Sequence, residues 1–176
     1  IYITYNWYVN GSDNGQSDVF LDSSHFVKGD SVSVMVTPSD AYGTGTPVSS
    51  SAVVIQNTPP GAPVVSISPV SPVPGHDLIC AIDTASVDVD GDAVSYSYQW
   101  KVDGSLNASY TTDTIPGSDI SAGEVWVCQV TPDDGVDSGI SASDSVTILP
   151  GLSWNDCPAT QSLGAAQFQL LGEQVG

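Results

Sequence analysis

The feature that most constrains this chain is an internal duplication that one half does not complete. The stretch YITYNWYVNG (residues 2–11) recurs as YSYQWKVDG (96–104), so Tyr5, Trp7 and Gly11 match Tyr98, Trp100 and Gly104 at a spacing of 93. Further on, GDSVSVMVTPSD (29–40) matches GEVWVCQVTPDD (123–134) at 94, and Ile55 matches Ile148 at 93. Agreement at three separated blocks means two copies of one module. A rigid Pro-rich linker, NTPPGAP (57–63), forms the seam.

Each block reads as β-structure. Val94, Tyr96, Tyr98, Trp100 and Val102 alternate with Ser95, Ser97, Gln99 and Lys101, a period of two that buries one face. Ile1, Ile3, Tyr5, Trp7 and Val9 repeat that face in the first copy. Asn10-Gly11 and Asp103-Gly104 are tight hairpin signals. Trp126, Cys128 and Val130 point inward on 124–131, and 143–149 closes the module. Helical periodicity is missing throughout. Short strands punctuated by Gly, Pro and Asp turns predict an all-β chain of two tandem β-sandwiches. Residues 1–57 form an incomplete domain, 58–149 a complete one, and 150–176 a strand-forming tail.

The second copy carries Cys80, Trp100 and Cys128 in that order. With its APVVSISP opening and its SVDVDGDAVSYSYQW and VWVCQVTPDDG blocks, it resembles the tandem Ig-like repeats, related to PKD and cadherin-like modules, of bacterial secreted surface proteins. The resemblance covers 58–149 fully and 1–57 in part. It implies a Cys80–Cys128 bridge between two sheets with Trp100 packed on it, and an extracellular or cell-surface location that is oxidising. Such a bridge closes a loop of about 48 residues and contributes roughly 4 kcal/mol. The alternative is a pair of buried free thiols. Trp126 departs from the pattern, standing where antibody-type domains keep a Tyr. Val34 takes the place of the second Cys in the first copy, and Cys157 is left over.

The first copy lacks a counterpart to residues 62–93, the first two strands of the second. Its inward face of Ile3, Tyr5, Trp7, Val32, Val34 and Val36 would therefore meet water. At about 1.5–3 kcal/mol per large side chain this costs on the order of 10 kcal/mol, against a whole-domain stability of about 5–15 kcal/mol. The tail belongs to neither repeat. Within it AQFQLL sets Ala166, Phe168 and Leu170 on one face and Gln167 and Gln169 on the other. A missing strand pair and an unplaced strand suggest donor-strand complementation between copies. That contact is heterologous, so it propagates head to tail as a homopolymeric fibre. The alternatives are an excerpt of a longer chain whose own strands complete the domain, and a tail that folds back within one chain.

Charge narrows the partners. Twenty Asp and Glu stand against 2 Lys and Arg, a net charge of -18. Such a field repels phosphate backbones and anionic lipid but suits cations. The DVDGD loop spaces Asp88, Asp90 and Asp92 two residues apart, and TPDDGVDSG adds Asp133, Asp134 and Asp137. Ig-like topology brings these loops to one end, beside the linker, where six carboxylates need something positive among them. Ca²⁺, a hard oxygen-seeking cation, answers that need and would stiffen the joint. This is not an EF-hand, since position 12 counted from Asp88 is Gln99. The alternative is a solvated acidic turn with no fixed ion.

Asn10-Gly-Ser and Asn107-Ala-Ser are N-glycosylation sequons. His25 and His76 lie in separate modules, with no nucleophile motif, phosphate loop or zinc spacing, so catalysis is not expected. No run of about 18 apolar residues would span a bilayer. The sequence thus predicts a subunit of an extracellular filament assembled by donor strands and stiffened by calcium. The alternative is a stalk segment of a larger multi-repeat adhesin.

Overall fold

The computed structural model describes residues 1–151. Ala166, Phe168, Leu170 and Cys157 lie outside the described residues. The first copy begins with β1 (Tyr2–Val9), which turns through Asn10 and Gly11 into β2 (Ser12–Asp13). Both turn residues have positive φ, 52° and 77°, the pairing that a type I′ hairpin demands. β3 (Ser31–Asp40) lies antiparallel to β1. Three short segments, β4 (Gly43–Thr44), β5 (Val48–Ser49) and β6 (Val53–Val54), then pair in turn along its other edge.

The second copy forms two sheets. One has the order β11 (Thr114–Ile115), β8 (Leu78–Thr84), β7 (Val64–Ser68). The other runs β10 (Ser105–Asn107), β9 (Ser95–Val102), β12 (Val125–Asp133), β13 (Ala142–Thr147). Cys80 on β8 and Cys128 on β12 join the sheets, with sulfurs 2.10 Å apart. Trp100, Leu78, Ile115, Val130 and Ile148 pack into the core around the bridge. This is an Ig-like β-sandwich by strand order and inter-sheet disulfide. Trp126 has no phenol to offer; its indole N–H instead reaches the Glu124 carboxylate at 2.9 Å, and its ring meets Trp100 edge to face at 6.3 Å.

The duplication is carried down to single hydrogen bonds. Trp7 lies opposite Val34 as Trp100 lies opposite Cys128. The Ser31 N–H donates to the Asn10 side chain at 3.0 Å, as the Val125 N–H donates to Asp103 at 2.9 Å. What differs is the facing sheet. The β1–β3 sheet has no counterpart of β11-β8-β7 opposite it among the described residues, and none of residues 1–57 is buried. Tyr5, Trp7, Val32, Val34 and Val36 are half-buried, and Ile3 is 53% exposed. Among the described residues, the buried core of Trp, Leu, Ile, Val and Cys side chains belongs wholly to the second sandwich.

Candidate metal centre at the interdomain joint

The loop between β8 and β9 is folded by one carboxylate. Asp88 Oδ1 accepts the N–H of Asp90 at 2.8 Å and of Asp92 at 3.3 Å, while Gly91 supplies a φ of 82° that side chains avoid. The loop between β12 and β13 is built alike: Asp134 Oδ1 accepts from Val136 N and Asp137 N, both at 2.7 Å. Together they bring carboxylate oxygens of Asp88, Asp92 and Asp134 within 4.8 Å of one another.

The other three expected members are turned to different work. Asp90 accepts the Thr58 N–H at 2.7 Å, tying its loop to the linker. Asp137 and Asp134 each accept from the Asn57 side-chain amide at 2.9 Å. Asp133 caps its own turn, holding Gly135 N at 2.9 Å and Ser138 Oγ at 2.8 Å. The acidic loops therefore grip the linker as well as one another.

A cation from the first domain stands in this cluster. Lys28 Nζ pairs with Asp92 and donates to Asn57 Oδ1 at 3.0 Å. The Asp92 hydrogen bond, opposed by desolvation, raises the Lys28 pKa. The Asp137 N–H, then the Asn57 amide, lower that of Asp134. Sequence reasoning missed Lys28 because no local motif announces a partner 64 residues away. Its rarity was the available signal, as one of only 2 cationic side chains.

Lys28 leaves one need unmet. Asp88 Oδ2 is buried and accepts no hydrogen bond among the described residues. An anionic oxygen so placed is costly without a counter-charge. The nearby donors are hard oxygens, three carboxylates and the Asn57 carbonyl, the ligand type that suits Ca²⁺ with water completing its shell.

The sequons sit differently. Asn10 Nδ2, the atom a glycan would take, donates to Asp30 at 2.6 Å. Asn107 uses its oxygen to hold Ser109 N at 3.1 Å. His25 lies 3.1 Å from Asp22 in a surface turn. No helix among the described residues is long and apolar enough to cross a membrane.

No protein-family profile and no curated protein matches the chain. Among solved structures, it is similar to the FN1-FN3 domains of chicken CNTN1, at 11% identity and a TM-score of 0.42, covering 86% of this chain and 58% of that one. It is also similar to the three N-terminal domains of the highly immunogenic outer capsid protein (Hoc) of bacteriophage RB49, at 18% identity and 0.36, covering 84% and 48%. This chain thus spans about half the length of either. The assignment of class rests on the repeat, strand order and disulfide described above: tandem Ig-like modules, of which the second is a complete β-sandwich.

Proposed function

We propose that the chain is a structural element of an extracellular assembly, two Ig-like modules held end to end, whose open first sheet is completed by a strand from a neighbouring copy. The observation that carries this reading is the uncovered face of β1 and β3. It leaves Trp7, Val32, Val34 and Val36 half-buried where the second module buries the matching Trp100, Trp126, Cys128 and Val130, with Tyr5 beside them. The donor would be the 166–170 segment of the next subunit, making a head-to-tail homopolymer. Calcium at Asp88, Asp92 and Asp134 would stiffen the joint. The Cys80–Cys128 bridge favours an oxidising, extracellular setting.

A second reading, a stalk segment of a larger multi-repeat adhesin, is favoured by the joint itself. Bonds from Asn57 and Thr58 to Asp134, Asp137 and Asp90 fix the spacing of two modules and need no polymer. Residues 1–176 and 1–158, purified with Ca²⁺ and viewed by negative-stain microscopy, separate the readings. Fibres from the longer chain alone support donor-strand assembly. Monomers from both, with a first domain that gains structure only when strands are added before residue 1, support the stalk.

A further inference from the structure

The duplication shows what sits on one module and leaves the matching place open on the other. On the second module, Gly139 N donates to Pro132 O at 2.8 Å, and the linker crosses directly over this corner. The approach is so close that a Cβ on Gly139 would lie 2.1 Å from Pro60 O. Asn57 anchors the same segment by donating to Asp134 Oδ2, whose other oxygen caps the turn.

The first module repeats the glycine, proline and turn-capping aspartate of that seat, while Gly43 stands where Asp137 gives Asn57 its second acceptor. Gly45 N donates to Pro38 O at 2.8 Å. Asp40 Oδ1 caps its turn through Tyr42 N at 2.8 Å and Gly43 N at 3.1 Å, as Asp134 does. Asp40 Oδ2, the counterpart of the oxygen that holds Asn57, accepts no hydrogen bond among the described residues. Where Pro60 lies on the second module, the first has a cleft of 390 Å³ lined by Ile1, Pro38, Asp40, Tyr42, Thr44 and Gly45. Tyr42 replaces Val136 there and is 99% exposed, giving the cleft an aromatic wall of the kind that takes proline.

We infer that this cleft is a docking seat for an extended, proline-bearing segment of a preceding module, with the chemistry of Asn57-Thr-Pro-Pro: an amide donor for Asp40 and a proline against Tyr42. The inference rests on the reading that modules join end to end, and it names the surface on which the next joint forms. The Asp40 carboxylate matches the incoming amide donor, the pairing already made by Asp134 and Asn57.

The test uses the isotope-labelled full chain titrated with the peptide VIQNTPPGAP, the chain's own residues 54–63. Saturable NMR shifts confined to the amides of residues 39–45 are expected, while the occupied 133–139 loop stays still. Replacing Asn by Ala in the peptide, or Asp40→Asn in the chain, is expected to weaken binding about tenfold. The Asn variant keeps an acceptor for the turn, so the loop stays folded. No saturable shift at 39–45, unchanged binding by Asp40→Asn, or a first module without dispersed amide signals would overturn the inference. A chain that fails to bind the peptide yet keeps its joint rigid in X-ray scattering loses only the seat, not the end-to-end reading.

Discussion

Trp7 and Trp100 make the same hydrogen bond in two copies of one sheet, yet only Trp100 is shut away from water. Each indole N–H donates to a backbone carbonyl just beyond the hairpin, Asp18 O at 2.9 Å and Thr112 O at 2.8 Å. Trp100 is 0% exposed, whereas Trp7 is half-buried. Trp100→Ala is therefore expected to destabilise its domain by about 3–5 kcal/mol. Trp7→Ala should cost less than about 1.5 kcal/mol in the isolated chain, because little apolar surface is newly exposed. Once a strand covers the first sheet, the two costs should converge. Urea unfolding of both variants, with and without a peptide of residues 160–176, measures the difference; a Trp7→Ala cost that is large without the peptide would refute the open face.

Removing the inter-sheet bridge with paired Cys80→Ala and Cys128→Ala substitutions should lower stability by about 4 kcal/mol, since the bond closes a 48-residue separation. The loss should appear as a lower urea midpoint for the second domain only. Val34→Cys in the first domain should give no comparable gain, as no β8 counterpart faces it among the described residues.

The repeat made most of this fold legible before any coordinate. Alternation assigned the buried face of β9 and β12, and the Asn10-Gly11 and Asp103-Gly104 pairs located both hairpins because only positive φ closes so short a turn. The disulfide came with the Ig-like resemblance. At the joint, spacing alone brought two acidic loops together but could not say which way each carboxylate turns. Asp90, Asp133 and Asp137 are claimed by backbone and side-chain donors nearby, a matter of local hydrogen bonding. Lys28 was invisible because its pairing is set by the angle between domains, which periodicity does not encode.

The joint should be acid-labile and flat across neutral pH. Asp134 is held below its ordinary 3.8 by the Asp137 N–H and Asn57, so its contribution is present above 3.8 and fades as pH falls through the lower folded value. Lys28 is raised above 10.5, so its contribution persists up to that value and fades only above it. Interdomain dimensions from X-ray scattering should thus hold constant from about pH 5 to 10 and expand below pH 3.8. Expansion beginning near pH 6 would contradict this assignment.

Gly139→Ala should open the joint, whereas Gly45→Ala should be mild. At Gly139 the new Cβ meets the rigid backbone of Pro60 at 2.1 Å, so the linker must move. At Gly45 its nearest neighbour is the Pro38 ring at 3.0 Å, which can shift by a few tenths of an ångström. Slow proteolysis across residues 57–63 reads out the joint. Faster cleavage in Gly139→Ala, with Gly45→Ala near the parent, is the expected result; equal rates would mean that the linker does not seat on this glycine.

Lys28 already pairs with Asp92, so calcium bound at the joint as proposed would compete with it, and this sets the sign of the last pair of variants. A divalent ion would gain most from Asp88 Oδ2, buried and without a donor among the described residues, and would have to share Asp92 with the ammonium. If the folded joint binds the ion, added Ca²⁺ raises the melting temperature in a saturable way, worth about 2.7 kcal/mol at a concentration 100 times the Kd. Asp88→Asn should abolish that rise, because the neutral amide removes the charge that asks for the ion. Lys28→Met should enlarge it, since Asp92 is then free to ligate. It should also make the joint looser when Ca²⁺ is chelated, since no cation remains among the three carboxylates. Calorimetric titration of the three proteins with Ca²⁺ reads both effects. A Lys28→Met chain that binds more weakly than its parent would show that the ammonium organises the cluster for the ion rather than occupying its place.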